Sequence, residues 1–154
     1  MDEKKCFFIG HRETPTSILS ELRIIIHQHI TQYNVTEFIV GNRGNFDRLA
    51  ASVILDLKKQ FPQIRLILLL PYLPTSSANY LPDGFDGSCY PSGLETVPKA
   101  VAIPRANRYM VENVDYLIAC VWHSASNALT LTEYAEKRAQ SGKIVVTRLS
   151  PPIF

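Results

Sequence analysis

Three short clusters in this chain combine residue types that do chemistry. Gly10-His11-Arg12 joins a flexible backbone to an imidazole and a guanidinium, which can hold an anion or the edge of a base. The plainer reading is a solvated loop with Arg12 paired to a carboxylate. Gly41-Asn42-Arg43-Gly44-Asn45-Phe46-Asp47 leads into a helical pattern, where backbone amides can cradle a phosphate. Asn45 and Asp47 serve equally well as helix caps. Trp122-His123-Ser124 and then Ser126-Asn127 follow a late apolar run; Trp122 can stack on a base or pack beneath a loop.

Other residues invite chemistry less strongly. Glu133 can assist cleavage of a glycosidic bond, or simply complement a helix dipole. His27 and His29 are two apart and so lie on different helix faces, which argues against a shared metal. Cys6, Cys89 and Cys120 are widely separated and odd in number, the usage of a reducing compartment rather than of a disulfide framework or zinc site. No metal and no cofactor are expected.

The elements that must position these residues alternate between two periods. Cys6 to Ile9, Glu37 to Val40, Ile64 to Leu70, Asp115 to Val121 and Lys143 to Leu149 read as strands. Between them, Ile18, Leu19, Leu22, Ile25, Ile26 and Ile30 form one helical stripe, with Thr14 as its expected cap and Pro15 as its first residue. Phe46, Leu49, Ala50, Val53, Ile54 and Leu57 form a second. A short helix is expected over 106–113 from a start at Pro104, and a last one from about Leu129 to Ser141. The implied fold is α/β: a Rossmann-like three-layer sandwich with a five-stranded parallel sheet, strand one central, and ligands beyond the strand carboxyl ends. Pro71 to Pro98 fits neither period, and is expected as an irregular loop that covers a ligand, makes an interface or carries no order.

Length and charge narrow the classes. A chain of 154 residues suits one domain, and a net charge of +2 with no basic run provides no footprint for nucleic acid. No apolar stretch reaches the roughly 20 residues of a membrane span, so a cytoplasmic protein without membrane contact is expected. Self-association is left open.

Together, Gly10-His11-Arg12, the pattern Gly41-x-x-x-Asn45-Phe46-Asp47, and Asn107-Arg108-Tyr109-Met110 ahead of Asp115 resemble the SLOG superfamily. The similarity is strongest to its uncharacterised YspA/YpsA-like members, and more distant to the LOG phosphoribohydrolases and the DprA/Smf DNA-processing proteins. The resemblance implies a Rossmann-like domain that binds a nucleotide or nucleotide-derived molecule, as a sensor or as a hydrolase of nucleoside monophosphates. The implied ligand-binding set is Gly10, His11, Arg12, Gly41, Gly44, Asn45, Asp47, Asn107, Trp122, Ser124, Ser126, Asn127 and Thr130. In the hydrolase reading, Glu133 with Arg105 or Arg108 would act catalytically. The departures from the LOG pattern are pointed. Its glycine-rich phosphate motif is matched by 126–133, where Thr130 and Glu133 remain but every glycine is gone, and its catalytic arginine falls on Ala106. Asn45 stands where the family has a glycine, as the residue best able to take positive φ.

Overall fold

The computed structural model describes residues 3–42, 44–72, 81–123 and 126–154. Six parallel strands form one sheet in the order β4-β3-β2-β1-β5-β6: β1 (Lys4–Gly10), β2 (Val35–Val40), β3 (Arg65–Leu69), β4 (Gly87–Cys89), β5 (Tyr116–Cys120) and β6 (Val145–Arg148). Four helices accompany it: α1 (Leu19–Thr31), α2 (Asn45–Lys58), α3 (Lys99–Asn113) and α4 (Asn127–Gln140).

Side chains alternate across each strand, and the alternation divides the interior into two cores. Cys6, Phe8, Phe38 and Leu66 face one side, where Leu22, Ile26 and Ile30 of α1 and Phe46, Val53 and Ile54 of α2 cover them. Phe7, Ile9, Ile39 and Ile67 face the other, beneath Ala106, Met110 and Val111 of α3 and Ala135 of α4. These apolar runs are buried on both faces, as a parallel sheet between helical layers requires.

The expected architecture is present with corrections. The sheet has six strands, not five. The additional strand, β4, lies inside the segment expected to be irregular and pairs Ile67 with Gly87, Leu68 with Ser88 and Leu69 with Cys89. It has no apolar run of its own; backbone bonds from Asp86 to Leu66 and from Leu70 to Cys89, each 2.8 Å, define it. Farther along the same segment, Leu94 is buried in the second core. Residues 73–80 of that segment lie outside the described residues.

Strand one is interior, between β2 and β5. Thr14 caps no helix: its hydroxyl donates to the His11 carbonyl at 2.7 Å, and Pro15 leads a single 3-10 turn, Thr16–Ile18, ahead of α1. α3 begins at Lys99 rather than near Pro104, because Pro98 supplies the N-terminal boundary and its carbonyl accepts from Val101 and Ala102 at 2.9 and 3.0 Å. Pro104 therefore sits inside the helix, where its lack of N–H leaves the Ala100 carbonyl without its usual partner. Positive φ among non-glycine residues falls on Asn34, while Asn45 is the first residue of α2.

Candidate functional site

Two loops leave adjacent strands and are locked together before they reach any ligand. The Asn45 amide donates to the Arg12 carbonyl at 3.0 Å, and Asn45 Nδ2 reaches the Thr14 carbonyl at 3.3 Å. Gly44 makes this contact sterically feasible, since a Cβ there would stand 2.5 Å from Arg12 Cα. The first amide of α2 is thus committed to the neighbouring loop rather than offered to an anion.

Beyond the strand ends lies a cavity of about 540 Å³. Its floor is the end of β1 with Gly10 and Gly41, and its walls are the start of α2 (Asp47), α3 (Pro104, Asn107, Arg108) and α4 (Asn127, Ala128, Thr130, Leu131, Tyr134). The volume falls within the range usual for small-molecule sites. Gly41 is needed for the approach of Asp47, whose Oδ2 would stand 2.9 Å from a Cβ at that position. On the opposite wall, Arg108 lies over the Tyr134 ring with its guanidinium carbon 4.4 Å from the centroid, and its Nε is 3.4 Å from Glu112. Tyr134 donates its hydroxyl to Glu112 at 2.5 Å; this bond, with Arg108 and Arg138 nearby, outweighs partial burial and holds the Glu112 carboxyl below its ordinary value.

Of the residues singled out in the sequence, Gly10, Gly41, Asp47, Asn107, Arg108, Asn127 and Thr130 meet at this cavity. His11, Arg12, Gly44, Asn45, Arg105, Trp122, Ser126 and Glu133 are not on its wall. Arg12, Arg105 and Glu133 are exposed, and Ala106 is fully buried in the second core. Ser126 caps α4, its Oγ accepting from the Leu129 amide at 3.0 Å. Ser124 lies outside the described residues. Phe7 to Ile9, Pro104, Leu131 and Tyr134 complete the lining; in the sequence they read as strand and helix positions, because only the packing of α3 beside α4 turns them toward one space.

A second cluster stands where the loop after β1 meets the loop after β5. His11 is buried, and its Nε2 accepts from the Trp122 and His123 amides at 3.2 and 3.4 Å. Those donors fix Nε2 as the unprotonated nitrogen. Burial, reinforced by His123 and partly opposed by Glu13, pushes the His11 pKa down. The Trp122 ring meets His11 edge-on at 4.4 Å between centroids, and Phe154 contacts Trp122 at 5.5 Å. His123 Nε2 lies 2.6 Å from Glu13 Oε1, and Glu13 is held below its ordinary pKa by a backbone hydrogen bond and by His123. The sequence pointed to His11 and His123 separately; Glu13 was missed, its signal being only a carboxylate directly after His11-Arg12.

Among the described residues no helix is long and apolar enough to cross a membrane. Searches of protein-family models and of curated proteins return no match to this chain.

Proposed function

We propose that this protein is a SLOG-type domain that binds a nucleotide or nucleotide-derived ligand in the cavity between α2, α3 and α4. The observation that carries the reading is the position of that cavity. It opens beyond the carboxyl ends of neighbouring parallel strands, where the order passes from β2 through β1 to β5, the crevice in which open α/β sheets receive their ligands. Its lining suits the class: apolar surface from Pro104, Ala128 and Leu131 for a base, amide groups from Asn107 and Asn127 for base edges or hydroxyls, and the Arg108 guanidinium for a phosphate. Arg108 can turn to a ligand at little cost, because its contact with Glu112 is exposed, and exposed ion pairs contribute about 0 to 1 kcal/mol.

Binding without hydrolysis is the better-supported form of this reading. Glu133 is exposed and off the cavity wall, and Ala106 occupies the position of the catalytic arginine. The test is a melting-temperature screen against AMP, NAD, ADP-ribose, cyclic nucleotides and free nucleobases, since a ligand that binds only the folded chain raises its Tm. A shift with one nucleotide class supports the reading; no shift with any of them contradicts it.

A further inference from the structure

We propose that His11, Glu13 and His123 form a site for a divalent transition metal of the zinc, cobalt or nickel class, separate from the nucleotide cavity. Each of the three offers one ligand atom, and those atoms lie within 4.8 Å of one another. Donors bound to one tetrahedral ion at about 2.0 to 2.2 Å stand roughly 3.4 Å apart. The triad therefore closes around a cation with movements on the order of 1 Å. The Glu13 to His123 pair, now 2.6 Å apart, opens slightly to admit the ion, and the two exposed side chains carry it toward the buried His11.

The donor chemistry sets the metal. Two imidazoles and one carboxylate suit zinc, cobalt and nickel, whereas magnesium and calcium favour sets made of oxygen alone. The supports differ in a useful way: His11 is buried at the end of an interior strand, while Glu13 and His123 are exposed on two loops that can adjust. Three protein ligands leave room for water or a small anion at the remaining position.

Capture of the ion has a structural consequence. The Nε2 lone pair of His11 is shared between the Trp122 and His123 amides at 3.2 and 3.4 Å, both long contacts. Ligation through that nitrogen takes the lone pair from them and shifts the loop after β5. Trp122, the single tryptophan of the chain, lies 4.4 Å from His11 and 5.1 Å from His123 between ring centroids, and so reports the event directly.

The experiment uses the full chain after chelator treatment. Zinc is titrated by calorimetry, cobalt by visible absorption and nickel by Trp122 fluorescence. Expected are one equivalent of metal, cobalt ligand-field bands without a thiolate charge-transfer band, and quenching by nickel. Glu13→Gln and His123→Ala, both at exposed positions, should keep the wild-type Tm and weaken binding at least about 10-fold, while exposed His27→Ala leaves it unchanged. Imidazole nitrogen spectra of the wild-type protein read the buried ligand without a variant: zinc should shift the His11 and His123 signals and spare His27 and His29. Absence of saturable binding, wild-type affinity in both loop variants, a thiolate band, or an unshifted His11 would each overturn the proposal.

Discussion

The Phe46 ring lies against the bare Cα of Gly10: a Cβ at that position would stand 2.3 Å from the ring's Cγ and Cδ2. The loop that opens the cavity and the first turn of α2 are therefore joined through a glycine that packing demands. Gly10→Ala is expected to destabilise the protein by about 1 to 3 kcal/mol, as overpacking of a tight core usually does. Thermal unfolding measures it, and Phe46→Leu in the same chain should recover part of the loss. A wild-type Tm for Gly10→Ala would show that the ring moves aside freely.

Arg105 and Arg108 separate cleanly on α3. Only Arg108 lines the cavity. A charge-assisted contact to phosphate is worth about 1.5 to 3 kcal/mol, so Arg108→Ala should weaken a phosphate-bearing ligand by roughly 10- to 150-fold. Arg105→Ala should bind as wild type. The reverse ranking in a titration would reassign the phosphate contact.

Glycosidic hydrolysis is expected to be absent. Incubation with nucleoside monophosphates, followed by chromatography for free base, should give no turnover above background, and Glu133→Gln should behave identically. Robust release abolished by that substitution would make the protein a hydrolase.

How far the sequence reached depends on where the signal was local. The continuous apolar runs within 6–9, 37–40 and 64–70 and the periodic helical stripes of α1 and α2 are local signals, and the α/β architecture followed from them. β4 was illegible because Gly87-Ser88-Cys89 carries no apolar pattern and exists through pairing with β3. Pro104 misled because a proline reads as a helix start, whereas Pro98 had already begun the helix. At the site, glycines and Asx residues were found by their types, but packing alone decided that Asn45 would bind the Arg12 carbonyl, that Tyr134 would lie beneath Arg108, and that Leu131 would line the same cavity.

Stability should depend on pH through His29. Its side chain is fully buried, Nδ1–H donates to the Ile25 carbonyl at 2.7 Å, and Nε2 has no partner among the described residues. Burial lowers its pKa against the weaker opposing effect of that hydrogen bond. Below about pH 6.5 the unfolded chain takes up a proton that folded His29 resists, so stability falls as the pH drops through that value. His29→Phe retains ring packing against Tyr33 and Tyr116 and removes the titration. Its Tm should decline less than that of wild type between about pH 7 and about pH 5. Parallel declines would exclude His29 as a source.

Asp86 should hold the edge strand. It pairs with Lys58 and accepts from the Leu66 amide at 2.8 Å, and although burial opposes its charge, these partners and Arg65 leave its pKa lowered. Asp86→Ala leaves the amide of buried Leu66 without this acceptor, at a cost of about 1 to 3 kcal/mol. Hydrogen exchange should rise at Leu70, whose amide donates to Cys89, and unchanged exchange there would detach β4 from this anchor.

The central claim is that a nucleotide-derived ligand occupies the cavity between α2, α3 and α4. Ala128 lies on its wall, and Ala128→Trp fills that space from the α4 side. The decisive measurement is calorimetric titration of wild type and Ala128→Trp with the nucleotide that gives the largest Tm increase. One equivalent bound by the wild type and none by a folded variant is the predicted result; equal affinity in the two would place the ligand elsewhere and contradict the account.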